Sequence, residues 1–282
     1  INNFLTPIFH IDSVKNSEIT TKVYEECIPL ISKYETDISQ NEDIYIALKT
    51  IQSNKNSSLN NIQNKVLENE IRAFTLSGCH LEKKQKKRLE EISLRLSELS
   101  HKFSLNLLNA TNEFEMVIDN FEDVKEVPAS DLELAKFEED GITKYKFTLQ
   151  APSYSAYITY GTSREKREEL YKGYCTRAPQ NGKIIEELLA LKNEKSKILG
   201  FNSYAQYSLA TKMASKEEDV ITFLEELGEK AKVRAKEELN EIKELAIKDG
   251  IIDFRSSDMS YYSEKLKKAQ YDLDEEYYRP YF

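Results

Sequence analysis

The sequence predicts a mainly α-helical fold, a multi-helical lobe with one small antiparallel pair of β-strands. Only 8 Gly and 6 Pro interrupt 282 residues, while Leu, Ile, Glu and Lys are abundant, which is typical of helical proteins. Long stretches repeat apolar residues at steps of three and four, and only two short ones alternate with period two. No Ser/Gly-rich linker divides the chain, so we expect residues 1–282 to form one domain or lobe.

The clearest predicted helix runs from about Glu82 to Ala110, where apolar residues at helical spacing fall on one face. These residues are Leu89, Ile92, Leu96, Leu99, Phe103, Leu107 and Ala110. Further helical patterns cover residues 17–39, 59–76, 183–199 and 256–270.

A second long helix is predicted from about Lys216 to Lys248. Ser215 and Glu218 stand at the spacing of a capping box at its start. Its apolar stripe consists of Val220, Phe223, Leu224, Leu227, Ala231, Leu239, Ile242 and Leu245. Thr162 and Glu165 show the same capping-box spacing, which predicts that another helix begins there.

Two stretches alternate apolar and polar residues and therefore predict strands. They are "EFEMVID" (113–119) and "KYKFTLQ" (144–150). Two isolated strands pair most economically as antiparallel neighbours. The acidic segment between them, 119–143, is expected to be a loop with one short helix.

Charge and composition exclude several classes of function. The net charge of −9 argues against a nucleic-acid binder, which usually has a basic surface, and it names no partner by itself. No apolar run approaches the length needed to span a bilayer, and the start does not resemble a signal peptide. We therefore expect neither a nucleic-acid partner nor membrane association.

The cysteines and histidines are widely spaced. They are Cys27, Cys79, Cys175, His10, His80 and His101. Three distant cysteines cannot all pair within one chain, and free thiols favour a reducing compartment, so the expected location is the cytoplasm. A helical zinc site needs two histidines four residues apart, and adjacent Cys79 and His80 do not direct two side chains at one metal. We expect structural or surface roles for all six.

Three other groups have both a functional and a structural interpretation. They are a basic run, Lys83–Glu91; an acidic triplet, Glu138, Glu139 and Asp140; and a tyrosine row, Tyr154, Tyr157 and Tyr160. An anion site, a carboxylate site and a peptide cleft are conceivable, but a solvated helix start, a solvated loop and aromatic packing are the favoured interpretations. There is also no glycine-rich phosphate loop and no G-x-S-x-G turn. We assign no catalytic, cofactor-binding or metal-binding residue.

Five longer stretches resemble a known family. They are "PIFHIDSVKNS" (7–17), "ISLRLSELSHKFSLNLLNAT" (92–111), "REELYKGYCTRAP" (167–179), "ALKNEKSKILGFNSYAQYSLATKMA" (190–214) and "MSYYSEKLKKAQYDLDEEYYRPYF" (259–282). In this order they resemble the thimet oligopeptidase family of zinc metallopeptidases, along essentially the whole chain. The resemblance implies a helical lobe that forms one wall of a deep channel and admits only short peptides.

The same resemblance implies a fragment of a cytoplasmic enzyme. In that family two histidines of an HExxH helix and a downstream glutamate bind zinc, and the HExxH glutamate is the general base. None of them matches a position here, so the chain is expected to be the N-terminal part, without its first segment and without the catalytic half. The full-length parent would bind zinc, act on short peptides and be monomeric, and the fragment alone would be inactive and hold no zinc.

The final segment, "EEYYRPYF" (275–282), is then expected to be a helix end and turn that lead into the catalytic half. Part of the aromatic surface of residues 256–282 would then lose its partner, which would favour self-association of the fragment. The candidates are Tyr261, Tyr262, Tyr277, Tyr278, Tyr281 and Phe282. The alternative is a non-enzymatic helical module that binds partner helices. An HExxH motif downstream in the parent reading frame would favour the peptidase, and a stop codon there would favour the module.

Overall fold

The fold is given by a computed structural model, which describes residues 2–54 and 58–271. This part of the chain forms twelve α-helices: α1 Asn2–Val14, α2 Glu18–Ser39, α3 Glu42–Ser53, α4 Asn61–Leu76, α5 Lys83–Glu113, α6 Ala129–Ala135, α7 Ala151–Tyr160, α8 Arg164–Cys175, α9 Asn181–Ile198, α10 Tyr204–Leu209, α11 Glu217–Lys248 and α12 Met259–Tyr271. Three strands join them: β1 Glu115–Ile118, β2 Lys136–Glu139 and β3 Ile142–Thr148. Short 3₁₀ helices cover Phe121–Asp123 and Ser256–Asp258. The mainly α-helical prediction is confirmed.

Both long predicted helices are present as α5 and α11, and the shorter patterns correspond to α2, α4, α9 and α12. Helices α1, α3, α7 and α10 were not predicted. Their apolar patterns are short, and α1 contains Pro7 within its span, which weakens a helical signal. No described helix is both long enough and apolar enough to cross a bilayer.

The start of α8 differs from the prediction by one residue. Ser163 is the N-cap, and its side chain accepts a hydrogen bond from the Lys166 amide. The Thr162 hydroxyl instead donates to the Glu122 carbonyl at 2.5 Å, and the Thr162 amide donates to the Asp123 carbonyl at 3.1 Å. Thr162 therefore ties the connection between α7 and α8 to the 3₁₀ helix Phe121–Asp123, and its hydroxyl is not available as a cap.

The predicted strand pair is confirmed as β1 and β3, which run antiparallel with Met116 opposite Phe147. A third strand extends the sheet to the order β1-β3-β2, with β2 also antiparallel to β3. Met116 and Phe147 are buried, whereas Glu115 and Val117 are exposed, so one face of the sheet packs on the core.

The acidic triplet is not part of a loop, which corrects the expectation for residues 119–143. Glu138 and Glu139 belong to β2, and Asp140 forms the hairpin turn with Gly141. Both turn residues have positive φ, 53° and 74°, as a two-residue type I′ turn requires. The sequence of β2, KFEE, has one apolar residue and shows no alternation, but the Asp-Gly pair was an available hairpin signal.

The chain divides into two compact units. The first comprises Ile1–Ser104 with Asn181–Val220, and the second comprises Leu105–Gln180 with Ile221–Phe282. Two of the three boundaries fall within helices α5 and α11, and the third falls between α8 and α9. The single lobe expected from the sequence stays a prediction.

In the first unit, helices α5 and α9 are joined by two arginine–glutamate pairs. Arg88 binds Glu194 with two hydrogen bonds of 2.6 and 2.8 Å, and Arg95 binds Glu187 with two of 2.6 and 3.0 Å. The arginines are seven residues apart, and so are the glutamates in the reverse order, which requires an antiparallel helix pair. Beneath them Leu89, Ile92 and Leu99 of α5 are buried, as the predicted stripe requires.

The core of the second unit lies between the sheet and helices α6, α7 and α8. It consists of Met116, Ile118, Val124, Val127, Ala135, Tyr145, Phe147, Leu149, Ala156, Tyr157, Ile158 and Leu170. The Tyr157 ring lies 4.7 Å from the Phe147 ring, centroid to centroid, and is fully buried. This aromatic pair fixes α7 on the sheet.

Candidate functional site

The histidines and cysteines lie apart in the structure. His10 and His80 are exposed. The His101 side chain is 8% exposed and stacks on Tyr24 at 4.2 Å, and its Nε2 lies 4.0 Å from Glu25 Oε1. Cys27, Cys79 and Cys175 are free thiols in half-buried, buried and exposed positions. In residues 2–54 and 58–271, no three His, Cys, Asp or Glu side chains come close enough to hold a metal ion.

The basic run is used to join helices within the first unit. Lys86 donates to Glu42 of α3 at 2.5 Å, and Arg88 binds Glu194 of α9. The hydrogen bond from Lys86 and its charge hold the pKa of Glu42 below its ordinary value. These two cations therefore already have carboxylate partners, so the run is less suited to an anionic ligand than its composition implies.

The tyrosine row packs within the second unit. Tyr157 is fully buried, and burial raises its pKa. The Tyr154 ring stacks on Tyr174 at 4.2 Å, and burial raises the pKa of Tyr154 to about 12. The Arg177 guanidinium also lies over the Tyr174 ring, 3.6 Å from the ring centroid. Tyr160 is contacted by the Lys268 ammonium at 4.7 Å. The packing interpretation is confirmed for Tyr157, and all three rings have partners inside the unit.

The most developed polar site of the second unit is one that the sequence did not indicate. We call it the arginine–aspartate centre; it comprises Arg164, Arg167, Asp253, Arg255 and Asp258. Arg164 and Arg167 come from α8, and the other three precede α12 in the chain. The two segments lie about ninety residues apart in sequence, so no local pattern links them.

Asp258 is the middle of this centre and has no solvent exposure. Arg164 donates to both carboxylate oxygens, from Nε at 3.0 Å and from Nη2 at 2.8 Å. Arg167 Nη2 donates at 3.4 Å, and the Arg255 amide donates at 2.9 Å. Burial by itself raises the pKa of Asp258, but the Arg164 hydrogen bond, the Arg255 amide and the two arginine charges outweigh it and lower that pKa.

The outer part of the centre repeats this pairing nearer to solvent. Arg164 Nη1 donates to Asp253 at 2.8 Å, and Arg255 Nη2 donates to the other Asp253 oxygen at 2.7 Å. Arg255 also binds Glu168. Hydrogen bonds from Arg164 and Arg255 lower the pKa of Asp253. Every carboxylate of the centre is thus ionised and held by arginine, which leaves no free base or nucleophile and makes the centre a clamp between α8 and α12.

The clamp includes the Tyr261 ring. Its packing corrects the expectation that Tyr261 and Tyr262 are uncovered. The Arg167 guanidinium lies over the Tyr261 ring at 4.1 Å, and the Tyr261 and Tyr262 rings meet edge to face at 5.2 Å. Tyr262 is 3% exposed. These two tyrosines are therefore packed inside the unit and do not form the uncovered patch expected from the sequence. Tyr277, Tyr278, Tyr281 and Phe282 lie outside the described residues.

Comparisons with known proteins identify the family. Residues 4–86 match the model "Neurolysin/Thimet oligopeptidase, N-terminal domain", and residues 157–282 match "Peptidase family M3". The whole chain is 39% identical to oligopeptidase A of Haemophilus influenzae. The chain belongs to peptidase family M3. The resemblance to thimet oligopeptidases is thereby confirmed.

Other M3 peptidases match over similar lengths. Oligopeptidase A of Escherichia coli is 36% identical over all of this chain, and a probable cytosolic oligopeptidase A of Arabidopsis thaliana is 33% identical over 98% of it. The chain spans 43% of the length of the two bacterial relatives and 42% of the plant one.

The zinc that membership of the M3 family implies has no matching residues in the described part of the chain. The two bacterial relatives align with all 282 residues, yet neither an HExxH motif nor a cluster of three metal-binding side chains occurs in the part described. The residues present in the described part of the chain do not fit a zinc centre.

Proposed function

We propose that this chain is the helical N-terminal part of a zinc-dependent oligopeptidase that hydrolyses short peptides. The observation that carries the proposal is the alignment of all 282 residues with oligopeptidase A, of which they span 43%. The zinc ligands and the general base would then lie in the remaining part of the parent. In this proposal the residues of this chain take no part in breaking the peptide bond.

The proposed role of this part is to form one wall of the channel that leads to the catalytic centre. Such a wall has to be rigid, because it excludes folded proteins by shape alone. Two features support this role: the paired Arg88–Glu194 and Arg95–Glu187 contacts, and the fully buried Asp258 of the arginine–aspartate centre. Each holds helices together within its own unit.

We propose the cytoplasm as the location, a monomeric state for the parent, and no nucleic-acid partner. The three cysteines of the described chain are free, which fits a reducing compartment. The net charge of −9 disfavours binding to a polyanion.

The test uses the full parent polypeptide. We expect it to hold about one zinc per chain and to cleave quenched fluorogenic peptides in a chelator-sensitive reaction. Turnover should decline as the peptide is lengthened and should be absent for folded proteins, because the channel admits only short chains. A parent without zinc or peptidase activity would overturn the proposal. A parent that cleaves unfolded proteins and short peptides equally well would overturn the channel-wall role alone.

A further inference from the structure

Helix α11 carries an apolar stripe that is packed at one end and exposed at the other. Near the C-terminal end of the helix, Ala246 is fully buried. Towards the other end Phe223, Leu224 and Leu227 are 64%, 54% and 53% exposed. Arg234 and Glu238 lie on the same helix face between these two ends and bind each other at 3.0 Å, so the stripe has two separate apolar ends, of which the described residues cover only the C-terminal one.

Small residues lie within the exposed end. An added Cβ at Gly228 would meet nothing within 4 Å, and Ala231 is one turn further along. Another helix can therefore approach the backbone of α11 closely at this point. We call the residues Phe223, Leu224, Leu227, Gly228 and Ala231 the exposed stripe.

The charges beside the exposed stripe are segregated along the helix. Residues 217–229 contain six acidic and no basic side chains, and residues 230–236 contain four basic and no acidic ones. Glu225, Glu226 and Lys230 form no ion pair with another described residue, and Lys232 contacts only Glu229, at 3.2 Å. The helix therefore has an acidic segment, 217–229, and a short basic segment, 230–236, that meet near Gly228, and acidic residues return at Glu237 and Glu238.

This arrangement is self-complementary in one orientation. If two α11 helices cross antiparallel at Gly228, residues 220–226 of each, which include Glu225 and Glu226, lie against the basic residues 230–236 of the other. At 100° per residue, Glu225 and Lys232 lie on one side of the stripe, and Glu226 and Lys230 lie on the other. The antiparallel pair then places Glu225 opposite Lys232 of the second copy and Glu226 opposite Lys230 of the second copy, whereas a parallel pair would oppose like charges.

We propose that the exposed stripe is a self-association surface on which α11 of a second copy of this chain lies antiparallel. The inference does not depend on the proposed peptidase function, and it concerns the 282-residue chain as it stands. A single helix pair of a few turns is smaller than a standard protein interface, so the dimer is weak, with a Kd on the order of 10–100 μM.

The first test measures the oligomeric state by sedimentation equilibrium from low micromolar to several hundred micromolar chain. We expect a monomer–dimer equilibrium that Leu227→Ser weakens by at least about tenfold. The matched control is Ile247→Ser, because Ile247 is 56% exposed on the same helix but lies on nearly the opposite side. A chain that stays monomeric throughout, or one that responds equally to both substitutions, overturns the proposal.

The second test determines the orientation by charge exchange. One variant carries Glu225→Lys with Glu226→Lys, and the other carries Lys230→Glu with Lys232→Glu. Each variant alone should lose self-association because the antiparallel pair then opposes like charges, and an equimolar mixture should form the mixed dimer. Circular dichroism checks that helix content is kept.

Non-specific attraction between the two charge variants is excluded with Leu227→Ser in both. The mixed dimer should then disappear, because its apolar contact is removed while the charges stay. Mixed association that survives Leu227→Ser, or single variants that still self-associate, would contradict the antiparallel stripe.

Discussion

Arg164 binds both carboxylate oxygens of Asp258, a residue ninety-four positions further along the chain with no solvent exposure. Two parallel N–H···O bonds between a guanidinium and a carboxylate fix direction as well as distance. Arg167 approaches the same carboxylate and is itself 2% exposed, so Asp258 is the counter-charge for a second, buried cation. The pairing therefore decides how α8 and α12 are held together.

Replacing Asp258 by Asn should destabilise the chain by about 3 kcal/mol. Asn keeps the shape but removes the charge, so buried Arg167 is left without its counter-ion. Urea unfolding followed by circular dichroism measures the change. Asp253→Asn is the control, because Asp253 also binds Arg164 but its side chain is 54% exposed. Equal losses from the two substitutions would show that burial of the pair is not the cause.

The low pKa of Asp258 also predicts that the loss of stability caused by Asp258→Asn depends on pH. The pKa of Asp258 lies below its ordinary value, so its ionised form stabilises the fold fully above the unfolded-state pKa of about 3.9. That stabilisation is lost as the pH falls through the lower folded-state pKa. The difference in unfolding free energy between the unaltered chain and Asp258→Asn should be constant above about pH 5 and should shrink below about pH 4. A difference that grows on acidification would contradict the assignment.

The Arg88–Glu194 contact should show favourable coupling in a double-mutant cycle. Its two hydrogen bonds are short and form a planar fork, whereas the Lys33 ammonium of α2 lies 3.5 Å from each Asp37 carboxylate oxygen. We expect measurable coupling for the first pair, none for the second, and a decline with added salt because both pairs are accessible to solvent. Arg88→Lys should lose most of the coupling, since an ammonium cannot form the fork.

Tyr262→Ala should cost about 3 kcal/mol of folding stability, because it removes a buried aromatic ring. Tyr262 is 3% exposed and lies 6.2 Å from the Phe254 ring. Tyr271→Ala, on the same helix at a position 67% exposed, should change stability by less than about 0.5 kcal/mol. Thermal unfolding measures the stability of both variants. If Tyr262 were exposed to solvent, the two substitutions would have similar small effects.

The chain purified alone should hold no stoichiometric zinc and hydrolyse no peptide. The described residues contain no group of three side chains able to hold a metal, and the sequence has no HExxH. Metal analysis after dialysis and a fluorogenic peptide assay with a chelator control measure both properties. Chelator-sensitive turnover that co-purifies with the chain would contradict the assignment of the catalytic centre to another part of the parent.

The local parts of the fold could be predicted from the sequence because their signals are local. Apolar spacing of three and four is a property of one helix face, and so α5 and α11 were located within a few residues. The same holds for β1 and β3, because each lies in a stretch that alternates apolar and polar residues, whereas β2 has the sequence KFEE and does not alternate along its length. Family membership also followed from the sequence, since long ordered stretches preserve it.

The sequence by itself determined the helical class, the strand pair and the family. Only the tertiary structure decided which groups meet: Thr162 binds the 3₁₀ helix Phe121–Asp123 rather than capping α8, Tyr262 is buried, and Asp258 joins Arg164 across ninety-four positions. The physical reason is that hydrogen bonds, ion pairs and burial depend on distances between residues remote in sequence. The exposed stripe of α11 also could not be predicted from the apolar pattern. The pattern includes both ends of the helix, but other residues cover Ala246 and leave Leu227 exposed.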